Sequence, residues 1–117
     1  MPNLSGSLGE ALALNFLKKK GWTLLARNLR NRFGEIDLVM KDGERIVFVE
    51  VKSLRSESLS PEESIGPRKI RHLKKTALLF LQKNQWLERP ARFDVVTVRL
   101  SVPQNLIEHF SDVITFP

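Results

Sequence analysis

The stretch from Glu35 to Lys52 constrains this chain most, because its pattern fits two strands joined by a tight turn. Apolar residues alternate or run together on each side: Ile36, Leu38 and Met40 before the break, then Ile46, Val47, Phe48, Val49 and Val51. Asp42-Gly43 lies between them. Such a pair flanked by apolar runs is a strong hairpin signal, since a two-residue primed turn needs positive φ at its centre. With Asp42 and Gly43 as the loop, Lys41 pairs with Glu44, Val39 with Ile46, Asp37 with Phe48, and Glu35 with Glu50. Side chains alternate faces with a period of two. Glu35, Asp37, Glu50 and Lys52 therefore emerge on one face, at the open end of the hairpin. Asp37 and Glu50 become diagonal neighbours with Cβ atoms about 7 Å apart or less. A three-residue loop would throw Asp37 to the opposite face.

This clustering of acids carries a cost. Two carboxylates about 6 Å apart repel by about 3 kcal/mol at an effective dielectric near 20. Lys52 offsets part of that, but one ammonium against three carboxylates leaves net negative charge. A divalent cation would remove the conflict. The alternative is that the strand ends are wet, the charges solvated, and Asp37 paired with Lys52.

The chain has 117 residues, the size of a single domain spanning 1–117. No apolar run approaches the roughly 20 residues of a transmembrane helix, and the N-terminus lacks a basic flank followed by an apolar core. Cysteine is absent, which excludes disulfides and thiolate metal sites. A cytoplasmic protein without membrane contact is the expectation. Lys and Arg number 19 against 13 acids, for a net charge of +6. That excess favours a polyanionic partner, most often nucleic acid. Its distribution adds weight, because acids gather in the hairpin while Arg27, Arg30, Arg32, Arg55, Arg68, Lys69, Arg71, Lys74 and Lys75 flank it.

The remaining elements follow from periodicity. Leu8 to Lys20 reads as a helix stopped by Gly21, and Ser7-x-x-Glu10 fits a capping box, which would make Glu10 a cap residue. Trp22 to Leu29 reads as a strand, with Arg27 and Arg30 either protecting an edge or meeting phosphates. The segment after Lys52 is a polar loop, with a helix start at Ser60-Pro61-Glu62-Glu63. A long helix should run from about Pro67 to Asn84, burying Ile70, Leu73, Ala77, Phe80 and Leu81. Arg92 to Leu100 reads as an interior strand covered on both faces. Asn105 to Phe110 reads as a short helix or turn, and Val113 to Phe116 as a final edge strand. His72 and His109 are isolated, without metal-ligand spacing. The order α-β-β-β-α-β plus a tail predicts an α/β fold, a mixed sheet of about four to five strands flanked by helices. The intervening helix leaves the third and fourth strands parallel.

An Asp, a short hairpin and Glu-x-Lys, here Asp37, Glu50 and Lys52, resembles the active-site pattern of the PD-(D/E)xK, or restriction-endonuclease-like, nucleases. GEALALNFLKKKGW, RNLRNRFGEIDLV, VFVEVK, the Lys69…Leu73…Ala77…Leu81 spacing and RFDVV together closely resemble the YraN-type family of small bacterial proteins. The resemblance runs from Gly6 to Phe116. It implies the restriction-endonuclease-like fold and likeness to the archaeal Holliday-junction resolvases, which are dimeric, magnesium-dependent nucleases. It also carries Glu10 over as a fourth acidic position. Two departures bear on substrate contacts: Leu54 stands where relatives typically carry Arg, and the loop after it lacks an expected glycine.

The expectation is thus a Mg²⁺- or Mn²⁺-dependent nuclease acting on DNA, with homodimerisation implied by the resemblance. Asp37, Glu50 and Glu10 would hold metal, and Lys52 would stabilise charge on the phosphate. Arg27, Arg30, Arg68 and Lys69 would grip the backbone, with steep salt dependence and little sequence reading. The competing expectations are an inactive nucleic-acid-binding module and a protein-interaction scaffold of the same fold.

Overall fold

The computed structural model describes residues 4–54, 65–100 and 104–116. The elements are α1 (Leu4–Lys19), β1 (Thr23–Asn31), β2 (Gly34–Asp42), β3 (Arg45–Leu54), α2 (Pro67–Lys83), β4 (Ala91–Arg99) and β5 (Leu106–Ile114). The strands form one sheet in the order β1-β2-β3-β4-β5. Among the described residues only the β3–β4 pair is parallel. The reason is connectivity: α2 carries the chain over the sheet, whereas the other strand pairs are antiparallel neighbours in sequence.

The two faces of β3 explain why it lies at the centre. Val47 and Val49 pack with Leu38, Met40, Val96 and Val98 against Ala13 and Leu17 of α1. Ile46 and Phe48 pack with Phe93 against Leu73, Ala77 and Leu81 of α2. A strand buried on both sides needs an unbroken apolar run. Phe48 and Phe93 stack with ring centroids 5.2 Å apart. The α2 stripe follows the expected spacing, with Thr76 buried as well, while Ile70 and Phe80 are partly buried.

Three expectations are corrected. The hairpin loop is Gly43-Glu44, not Asp42-Gly43, because Asp42 pairs with Arg45. Gly43 has φ +61 and Glu44 is not among the positive-φ residues, the pattern of a primed turn with glycine first. The helix α1 begins at Leu4, so Ser7 lies inside it and Glu10 is not a cap residue. Leu106 to Ile114 is one strand rather than a helix or turn followed by a strand. Its alternation is broken by a register shift opposite Phe93/Val95 and by the positive φ of Asp112 (+56), which hides the strand from periodicity. The expected helix start at Ser60-Pro61-Glu62-Glu63, like Arg55, lies outside the described residues.

Candidate metal and phosphate site

The register that corrects the turn strengthens the site. Pairs now run Lys41↔Ile46, Met40↔Val47, Val39↔Phe48 and Leu38↔Val49. Continued by one residue, the ladder sets Asp37 opposite Glu50 instead of diagonal to it. A displacement of two residues in pairing keeps the parity of the ladder. Val39 therefore shares the face of Phe48, while Leu38 and Met40 share that of Val47 and Val49; Ile36 departs from the alternation and packs on the α2 side. Beyond Leu38↔Val49 the Asp37 side chain enters the ladder, its Oδ2 accepting the Val51 N–H at 2.8 Å. Glu50 follows Ile46 and Phe48 on the α2 side and is buried, at 5% exposure.

Helix α2 closes the site from above. Gly34, Glu35, Asp37 and Glu50 of the sheet and Lys69, His72 and Leu73 of α2 line a cleft of about 340 Å³. Lys69 Nζ lies 2.7 Å from Glu50 Oε2. Of the residues expected to grip phosphate, Lys69 is thus engaged by an acid. Arg30 bonds Glu35 at 2.8 Å, and Arg27 Nε stands 4.0 Å from Glu10 Oε1. Arg68 is exposed in the first turn of α2.

The electrostatics are unsettled at the centre. Burial, then the adjacent Glu50 charge, push the Asp37 carboxyl up to about 7, against the Val51 hydrogen bond that favours its ionised form. Burial and the neighbouring Lys69 ammonium hold Lys52 below its ordinary value. For Lys69 burial works downward, yet its hydrogen bond and charge contact with Glu50 outweigh that and raise it.

Glu10 comes from the other side of the sheet. Its Oε1 is buried without a hydrogen-bond partner, and its charge is felt at Asp37. The Arg27 guanidinium 4.0 Å away supplies charge but no hydrogen bond, and a buried carboxylate oxygen without a hydrogen bond is costly. That oxygen, free of hydrogen bonds, and the facing pair of acids fit a hard divalent ion, which accepts oxygen donors and keeps several waters. Among the described residues, however, no three His, Asp or Glu side chains already stand as a metal cage. Glu10, Asp37 and Glu50 are brought near one another without converging.

A second polar cluster escapes the sequence patterns. Asp94, 1% exposed in the middle of β4, takes hydrogen bonds from Arg92 Nε at 2.9 Å and Nη2 at 3.2 Å. The backbone N–H of Asp112 donates to it at 2.9 Å, and His109 Nε2 lies 2.7 Å away. Lys20 Nζ in turn lies 2.8 Å from His109 Nδ1. Burial alone would raise Asp94, but its donors hold it below the ordinary carboxylate range. The available signal is an aspartate inside an apolar strand with Arg92 two residues before it; His109 and Asp112 lie across the irregular β4–β5 pairing. With its acceptor positions taken by the protein, Asp94 serves the fold.

Fold and site together define a small α/β protein carrying an Asp and a Glu-x-Lys on adjacent strands of a mixed sheet. Within that class, the chain belongs to the Uncharacterised protein family UPF0102, whose model matches residues 9–98. A UPF0102 protein of Syntrophomonas wolfei is 45% identical over 105 residues, covering 89% of this chain and 91% of that protein. One from Thermotoga maritima is 47% identical over 104 residues, with coverage of 89% and 91%. Among solved structures, Pyrococcus furiosus SfsA in complex with Ca²⁺ aligns with a TM-score of 0.45 and 16% identity. The alignment covers 97% of this chain and 64% of that one, so this chain spans less than two thirds of that protein's length.

Proposed function

We propose that this protein is a divalent-metal-dependent nuclease that hydrolyses phosphodiester bonds, with branched or structured DNA as its substrate class. The observation that carries the reading is the Asp37–Glu50 pair facing across β2 and β3, with Lys52 two residues on. Burial, then the facing Glu50 charge, raises the Asp37 carboxyl to about 7.

Asp37 and Glu50 would hold Mg²⁺ or Mn²⁺, and Glu10 would offer the oxygen that accepts no hydrogen bond, moving away from Arg27 to do so. When bound, such an ion polarises the scissile phosphate and lowers the pKa of the attacking water. Lys52 supplies positive charge on the same face, where it stabilises the negative charge gathering on the phosphate. Acting as a base would require Lys52 to lose its proton near neutral pH, so the electrostatic role is the simpler one. Lys69 must release Glu50 as the metal enters, and Arg68 beside it meets the backbone phosphate. The start of α2 suits this contact. It has no acid in its first turn and no side-chain cap, so its N–H groups favour an anion.

A second reading, a nucleic-acid-binding module without turnover, is favoured by the Lys69–Glu50 ion pair, which puts an ammonium where a metal ligand is needed. One experiment separates them. Flaps, single strands and four-way junctions are incubated with the protein and Mg²⁺ or Mn²⁺. Cleavage that falls by about 100-fold or more in both Asp37→Asn and Lys52→Ala supports hydrolysis. Binding without cleavage, or cleavage indifferent to both substitutions, rejects it.

A further inference from the structure

The turn between β1 and β2 presents an aromatic ring in a way that packing of the core does not require. Phe33 stands at the tip of the turn, half-buried, beside a groove of about 360 Å³ lined by Arg32, Phe33, Lys75, Leu78, Leu79 and Gln82. The Arg32 guanidinium lies 4.8 Å from its ring centroid and the Lys75 ammonium 5.8 Å. No acidic side chain lines this groove among the described residues. An apolar floor, an aromatic face and two cations match a base with its phosphates.

The ring is held in place. Asn31 Oδ1 accepts the Phe33 N–H at 3.0 Å, while Asn31 Nδ2 donates to the Thr76 carbonyl of α2 at 3.1 Å. One side chain thus ties the turn to the helix. Gly34, the next residue, already lines the Asp37–Glu50 cleft. From Phe33 in the turn to Asp37 in β2 the chain covers about 13 Å at the usual rise per residue, a span of a few nucleotides.

We infer that Phe33 is a stacking post for an unpaired nucleobase, with Arg32 and Lys75 taking the adjoining phosphates of a single-stranded segment that leads into the Asp37–Glu50 cleft. The inference rests on the nucleic-acid reading above and specifies which part of the substrate is recognised. Magnitudes favour the base over the cations as the ring's partner. An exposed cation–π contact is worth about two- to fivefold in an equilibrium. Stacking one base on an aromatic side chain is worth about 5- to 100-fold. An arriving base therefore displaces the cations from the ring and leaves them beside its phosphates.

The test uses the full chain in EDTA, so that no cleavage intervenes, with fluorescein-labelled oligothymidylate and a blunt duplex of equal length. Phe33→Leu keeps the apolar bulk without the π face, and Phe33→Trp keeps the face. The leucine variant is expected to lose about 5- to 100-fold in single-strand affinity while its duplex affinity moves less than about twofold. The tryptophan variant is expected to bind as the parent does, with an added indole emission that the single strand quenches. Equal single-strand affinity for parent and Phe33→Leu overturns the stacking role alone, as does an equal loss on both ligands. A parent chain that binds neither ligand overturns the nucleic-acid reading and this inference with it.

Discussion

Lys69 Nζ reaches from the first turn of α2 to within 2.7 Å of Glu50 Oε2, a carboxylate on a central strand whose side chain is 7% exposed. Removing the cation leaves a buried acid without its partner. Lys69→Met should therefore destabilise the metal-free protein by about 1–3 kcal/mol, read from urea unfolding in EDTA. The same change should tighten Mg²⁺ or Mn²⁺ binding by calorimetry, since no ammonium has to leave first. Weaker divalent binding in the variant would argue that Lys69 assists the ion instead of competing with it.

Asp37 gives the molecule a pH dependence of unusual sign. Its carboxyl is raised on folding to about 7 from an ordinary 3.8. Between those values the unfolded chain has lost the proton and the native one keeps it. Stability then falls as pH rises through that window and is flat on either side. Asp37→Asn retains an acceptor for the Val51 N–H but no charge. The variant should match the parent near pH 4 and exceed it by on the order of 3 kcal/mol near pH 8. Urea unfolding at the two pH values checks it. Saturating Mg²⁺ should close the gap by stabilising the parent alone.

What the sequence makes legible is local. The hairpin, the common face of Asp37, Glu50 and Lys52, the crossover by α2 and the doubly buried β4 all follow from period and turn chemistry within a few residues. The pairing itself does not follow. Asp42-Gly43 and Gly43-Glu44 both serve a two-residue loop, and the choice lies in turn type, a difference smaller than the packing that decides it. Ser7-x-x-Glu10 has the spacing of a capping box, yet the helix starts a turn earlier and leaves Glu10 in its interior. Lys69 on Glu50 and His109 on Asp94 are contacts made by tertiary packing, and no spacing announces them. The β5 partners of Asp94, His109 and the Asp112 N–H, sit where β4 and β5 lose register, so alternation fails at the place where the contact forms.

Asp94 should matter to stability and not to nucleic acid. Asp94→Asn removes the charge that Arg92 and His109 face in a closed environment, and about 3–5 kcal/mol is expected to be lost. Folded variant should bind oligonucleotides as the parent does. The pH signature is opposite to that of Asp37. Asp94 is held below its ordinary 3.8, so the unfolded state binds more protons there. Its contribution is present above about pH 4 and is lost as pH falls through the lower folded value. Acid unfolding followed by circular dichroism should show that limb flattened in the asparagine variant.

Gly34 lies where the sheet, the turn and α2 meet. Its φ is +152, a conformation that L side chains rarely adopt. A Cβ there would lie 3.1 Å from Thr76 Oγ1 and 3.7 Å from His72 Cβ. Thr76 cannot readily yield, being buried and donating its hydroxyl to the His72 carbonyl at 2.7 Å. Gly34→Ala should thus cost about 1–3 kcal/mol in backbone strain and push the turn off the helix. The Asn31 bond to the Thr76 carbonyl would break first, and with it the fixed presentation of Phe33. Amide exchange checks this directly: the Phe33 N–H, held by Asn31 Oδ1 in the parent, should exchange faster in the variant while amides of central β3 stay protected. Unchanged exchange at Phe33 would mean that the turn keeps its place without the glycine.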